Sequence, residues 1–299
     1  MHPRVRGFLL FLLYAVMSNA LGAAFGWLFI LKLHAVDISD RSWRPSIFIV
    51  GETIGAFGAF LATWAVALAG RRPFSRLGYA RAGALRHFGI GSLFGLIAVG
   101  ILVGGIAALG GFTFGTPSMS GEQLAKYAIV WLIAFVLVGL AEEMDFRAAA
   151  LLTLGEAIGV WPAAIALSVL FGAVHYFFKP MENIADALSV GLLGLFLCYT
   201  VLRTGAIWFA IGFHALFDFA AIYLFGAPNS GNQGQPITTK MLTGTYHGPQ
   251  WLTGGPLGVE ASWLVFPLIA LLFLAFSLID RPLRYNPPQP APENLGGTA

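Results

Sequence analysis

Six ionisable residues stand inside apolar stretches of the chain: Glu142, Glu143 and Arg147 in one, His175 in the next, His214 with Asp218 in a third. A charge at the centre of a membrane-spanning helix costs about 3 kcal/mol, so groups of this kind face an interior and mark function. In Ala141-Glu142-Glu143-Met144-Asp145-Phe146-Arg147, helical spacing puts Glu143 and Arg147 one turn apart on one face, where the guanidinium neutralises the carboxylate. Glu142 points about 100° away and is left free to act. A desolvated carboxylate is a stronger base than an exposed one, which makes Glu142 the candidate general base. A plainer reading makes the same cluster a cytoplasmic helix end, with Arg147 snorkelling to the headgroups. His175, at the end of Ser168-Val169-Leu170-Phe171-Gly172-Ala173-Val174-His175, fits a hydrogen-bonded interior histidine as well as a catalyst. His214 and Asp218 share one helix face in Phe213-His214-Ala215-Leu216-Phe217-Asp218, where such a pair can share a metal, orient each other or line a polar cavity.

These residues must be positioned by membrane helices. The 299-residue chain is 58% hydrophobic and 10% charged with a mean hydropathy of +0.78, whereas about a quarter of a soluble domain is charged. Crossing a bilayer takes about 20 apolar residues. Runs of that kind lie at Gly7–Leu31, Ser46–Gly70, Phe88–Gly110, Tyr127–Leu154, Val160–Phe178, Ala185–Leu202, Ala206–Phe225 and Ser262–Ile279. The expected fold is an all-α polytopic bundle of about eight transmembrane helices around an intramembrane polar site. One membrane domain spans residues 1–285, and the Pro-rich 286–299 forms a cytoplasmic tail with nothing to build a core.

Basic residues sort by side. Arg4, Arg6, Arg71, Arg72, Arg76, Arg81, Arg86, Arg203, Arg281 and Arg284 share one face, against Lys32, Arg41, Arg44, Lys126, Lys179 and Lys240 on the other. This asymmetry predicts both termini in the cytoplasm. The pI near 9.1 thus reflects topology and gives no support to nucleic-acid binding. The first apolar run continues through Phe25, Trp27, Leu28 and Ile30, too long for the core of a cleaved signal. Cys198, the single cysteine, has no disulfide partner within the chain and is a packing residue. Gly51/Gly55, Gly91/Gly95 and Gly100/Gly104 carry the spacing that lets helices approach closely. The nearly uncharged loop from Gly226 to Glu260 reads as a flexible external connection or a partial lid.

The three constellations, in this order, resemble the CPBP family of intramembrane proteases, which includes the CAAX prenyl endopeptidases and bacterial relatives linked to bacteriocin self-immunity (Abi-type). The family motifs EExxxR, FxxxH and HxxxN/D read here as Glu142-Glu143-x-x-x-Arg147, Phe171-x-x-x-His175 and His214-x-x-x-Asp218. The resemblance covers roughly residues 88–225 and implies an integral protein of the bacterial inner membrane. It implies an endopeptidase acting on a membrane-associated peptide or membrane protein, lipidated or not. Glu142 and His175 would activate water, His214 and residue 218 would face the oxyanion, and Glu143 with Arg147 would support them.

Two positions depart from the family pattern. Asp218 stands where Asn is frequent, and an ionised Asp cannot donate to an oxyanion; it is protonated, orients His214 or binds a metal. Ala148 follows Arg147 where Gly is common. Glu142, His175, His214 and Asp218 together supply an N and O ligand set for zinc, so a metalloprotease and a metal-free glutamate mechanism both remain open. The span limits place His175 toward the outer end and Glu142 and His214 nearer the middle. Glu52 belongs to no motif and reads as a supporting residue. Two other functions fit the same residues: a transporter or channel relaying protons or cations through Glu and His, and an inactive binding or immunity protein.

Overall fold

The computed structural model describes residues 1–35, 37 and 43–279. The expectations for the tail 286–299 and for Arg41, Arg281 and Arg284 lie outside those residues. In chain order the helices are α1 (Pro3–Phe25, continued by a π-turn segment Gly26–Lys32), α2 (Pro45–Gly70), α3 (Ala84–Ala108), α4 (Gly121–Arg147) and α5 (Ala149–Ile158). They are followed by α6 (Val160–Phe178), α7 (Ile184–Thr204), α8 (Trp208–Asp218, continued by a π segment Phe219–Leu224), α9 (Gln250–Thr253) and α10 (Val265–Ile279). The short strands β1 (Phe112–Thr113) and β2 (Thr245–Tyr246) pair antiparallel between two loops.

Six helical segments are long and apolar enough to cross a membrane: Pro3–Lys32, Pro45–Gly70, Ala84–Ala108, Gly121–Ile158, Val160–Phe178 and Ile184–Thr204. The seventh and eighth expected spans form shorter apolar helices, Trp208–Leu224 and Val265–Ile279. Glycine marks both ends of the first and the approach to the start of the second. Gly205 and Gly226 turn the chain in the left-handed region at either end of α8, and Gly254, Gly255 and Gly258 hold positive φ before α10. That geometry turns the chain preceding α10 into 3-10 turns. Large apolar side chains such as Leu93, Ile97, Ile101, Ile133 and Val169 face outward, as lipid contact requires.

Local sequence accounts for the helix limits. Pro45 opens α2 at a position whose N–H would be unpaired in any case. Asn183 caps α7 by accepting from the Asp186 N–H at 2.9 Å. α4 and α5 make one bent rod, broken where Ala148 adopts φ −87° and ψ −114°, and Gly159 at φ 98° turns it into α6. Glu142 therefore lies 17 residues before that turn and His175 16 after it. At about 1.5 Å per helical residue the two are level, which removes the depth mismatch: the rod continues to Ile158 and does not stop at Leu154.

α8 packs against α3 and α4, α2 against α1 and α4, and α6 against α7. The α3–α8 crossing is backbone against backbone. A Cβ on Gly91 would lie 2.1 Å from the Phe209 carbonyl, one on Gly95 2.4 Å from that of Phe213, and one on Gly212 2.2 Å from that of Phe88. Of the three glycine pairs, this is the one that works as a close-approach device. Gly51, Gly100 and Gly104 have no atom within 4 Å of such a Cβ.

The segment 226–260, expected as a flexible connection or partial lid, is a folded cap. It is fixed by the β1–β2 pair, by Ser118 N–H to the Met241 carbonyl at 2.9 Å, and by Trp131 Nε1–H to Thr239 Oγ1 at 2.9 Å. Cys198 is buried, its Sγ 3.8 Å from Ser168 Oγ.

Candidate functional site

A cavity of about 200 Å³ collects Glu142 from α4, His175 from α6, and His214 and Asp218 from α8. All four candidate catalytic residues thus line one space, although they come from three helices.

Glu143 and Arg147 lie behind them, fully buried, with Arg147 Nη1 3.1 Å from Glu143 Oε1. The pair does more than neutralise itself. The same Glu143 Oε1 accepts from His214 Nδ1 at 2.9 Å, so one carboxylate joins the arginine to the site histidine. The Phe171 ring covers the guanidinium, 4.1 Å from centroid to Cζ, and packs edge-on against Phe146 at 5.0 Å. That gives the phenylalanine of the second motif a physical role, since a cation on an aromatic face is stabilised where water is excluded. Gly194 of α7 makes the room, because a Cβ there would lie 2.6 Å from Arg147 Nη2. Gly139 does the same between α4 and α8, where a Cβ would meet the Ile211 carbonyl at 3.1 Å.

The two imidazoles are held by different partners. His175 Nδ1 donates to the Phe171 carbonyl at 2.9 Å, which fixes the tautomer and leaves Nε2 as an acceptor. His214 Nε2 lies 3.7 Å from Glu142 Oε2 and 3.6 Å from Asp218 Oδ2. Both distances allow ion pairing and exceed a hydrogen bond. The hydrogen bond that His214 makes to a carboxylate is thus with Glu143 and not with Asp218.

His214 Nδ1 is occupied by Glu143, and among the described residues no group of three or more His, Cys, Asp or Glu side chains is arranged to hold a metal ion.

Three further charged groups line the cavity: Glu52 from α2, Lys179 one turn beyond His175, and Glu260 from the cap. Lys179, expected only as one of the outer-face cations, is therefore a cavity residue. The Glu260 backbone is pinned by Ser189 Oγ–H to its carbonyl at 2.8 Å, and burial pushes its carboxyl up to about 7 against the opposing pull of Lys179. The positions of His175 and Lys179, four apart at a helix end, could have revealed the lysine; Glu260 left no comparable signal.

Against protein families, residues 124–220 match the type II CAAX prenyl endopeptidase Rce1-like family. The matched segment contains all seven residues of the three motifs. No curated protein and no solved structure gives a match to the chain.

Proposed function

We propose that this chain, which carries an Rce1-like type II CAAX prenyl endopeptidase domain over residues 124–220, hydrolyses a peptide bond in membrane-associated substrates by a metal-free glutamate mechanism. The observation that carries the reading is the convergence of Glu142, His175, His214 and Asp218 on one cavity within an apolar helical protein. Lipidated peptides belong to the substrate class that the family suggests.

In this mechanism Glu142, with His175 Nε2 as a second acceptor, takes a proton from water as the oxygen attacks the scissile carbonyl carbon. The carbonyl π-bond opens and its electron pair becomes the oxyanion. His214, beside the carboxyl groups of Glu142, Glu143 and Asp218, carries a proton on each ring nitrogen. One N–H is held by Glu143 and the other donates to the oxyanion. Collapse restores the carbonyl and breaks the C–N bond, and Glu142 returns its proton to the leaving amine. Asp218 holds the imidazolium as a neighbouring charge and needs no proton of its own to do so.

The test compares membrane peptides from cells carrying the wild-type protein with those from cells carrying Glu142→Ala. Cleavages found only with wild type are expected, and purified wild-type protein should retain them in a strong chelator. Identical peptide sets would refute the protease reading. Loss of cleavage in chelator, restored by zinc, would refute the metal-free mechanism alone.

A further inference from the structure

Glu52 and the aromatic wall beside it remain unused by this mechanism. Phe48 and Glu52 are four residues apart on α2, on one helix face, and both line the cavity together with Trp43 and Phe135. Trp43 packs edge-on against Phe48 at 4.7 Å, and Phe48 lies 6.4 Å from Phe135. Among the described residues the Glu52 carboxylate has neither a hydrogen-bond nor an ion-pair partner. Trp43, Phe48 and Glu52 all lie outside the segment that bears the three motifs.

A carboxylate without a partner, placed in a low-dielectric cavity beside indole and phenyl rings, is chemically suited to one kind of group. A cation gains an ion pair from the carboxylate and attraction from the ring faces, while the alkyl part of its side chain covers apolar surface. The rest of the cavity leans the same way: Glu142, Asp218 and Glu260 add three more carboxyl groups, and among the described lining residues Lys179 is the one Lys or Arg.

Resting on the protease reading, we infer that Trp43, Phe48 and Glu52 form a specificity subsite that receives a lysine or arginine side chain of the substrate near the scissile bond. A substrate bound there would anchor its cationic side chain against α2 while its carbonyl faces Glu142 on α4. Glu52 touches the substrate side chain and takes no part in bond cleavage.

The experiment digests a proteome-derived peptide library with the full chain in lipid nanodiscs, using wild type, Glu142→Ala, Glu52→Gln and Glu52→Lys. Peptide ends that depend on Glu142 are expected to show lysine or arginine enriched at one fixed position from the cut, about tenfold over norleucine in matched synthetic peptides, the scale of one desolvated ion pair. Glu52→Gln should bring that ratio close to one, and Glu52→Lys should favour an acidic residue at the same position. No positional enrichment, or enrichment unchanged in Glu52→Gln, would overturn the subsite. A second arm measures binding of the lysine and norleucine peptides to Glu142→Gln protein, with and without Glu52→Gln. Preference for lysine that depends on Glu52, with no cleavage by wild type, would sink hydrolysis and keep the subsite. Equal binding of the two peptides would sink the subsite whatever the cleavage result.

Discussion

Arg147 is the residue on which the site's burial rests. It has no exposed surface, its one carboxylate partner is Glu143, and its guanidinium lies on the Phe171 ring. Removing one member of such a pair strands the other charge in the interior, which costs about 3–5 kcal/mol, whereas replacing both by neutral groups costs far less. Because His214 still donates to Glu143, Arg147→Met is expected to lower stability by about 3 kcal/mol, the low end of that range, and adding Glu143→Gln to it should recover part of the loss. Thermal unfolding of the two single variants and the double variant in detergent checks this. Losses that simply add would show that the two residues are not a unit. The pair was legible in the sequence because its spacing is local. The bond from Glu143 to His214 was not, since 71 residues separate them and only the packing of α8 on α4 brings them together. Glu52 was visible as an acid in a span and read as a supporting residue, but its place in the lining of the same cavity as Glu142 depends on the packing of α2.

Helix pairs decide whether the catalytic side chains meet, and the α3–α8 crossing carries the greatest constraint. α8 bears His214 and Asp218, and its approach to α3 depends on Gly91, Gly95 and Gly212 having no side chain. Gly95→Ala would force a methyl group into the Phe213 carbonyl and is expected to destabilise by about 1–3 kcal/mol while displacing His214 and depressing cleavage. Gly104→Ala, whose Cβ meets nothing within 4 Å, should leave melting temperature and cleavage unchanged. Parallel melts and turnover assays of the two variants decide the matter; equal effects would remove the crossing from the explanation. Spacing of four made both glycine pairs of α3 visible in the sequence. Which pair faces a partner depends on the rotation of α3 about its axis, which the pattern of small residues alone does not encode. The order of the cap was hidden for a similar reason: it comes from the β1–β2 pair and from the Trp131 side chain on α4, contacts between segments far apart in sequence.

At the scale of the molecule, cross-chain contacts sort the loops into two ends. The Arg6 guanidinium donates to the Gly70 carbonyl, Arg72 pairs with Glu156, and the Ile207 N–H donates to the Gly78 carbonyl at 3.0 Å. The start of α1, the α2–α3 loop, the end of α5 and the α7–α8 turn are thus gathered at one end. The cap, joined to the α3–α4 loop by β1 and β2, stands at the other. Arg4, Arg6, Arg71, Arg72, Arg76, Arg81, Arg86 and Arg203 belong to the first end, against Lys32, Arg44, Lys126, Lys179 and Lys240 at the second. Positive charge in short loops is retained on the cytoplasmic side, so the cap should face outward and close the site from that direction. Cys198 is fully buried, which gives the wild-type chain no exposed thiol and makes single introduced cysteines readable. Thr238→Cys in the cap is expected to react with a membrane-impermeant maleimide added to intact cells. Ser75→Cys, in the arginine-rich loop, should react only after the membrane is opened. The reverse pattern would invert the topology and put the cap, with Glu260, on the cytoplasmic side of the site.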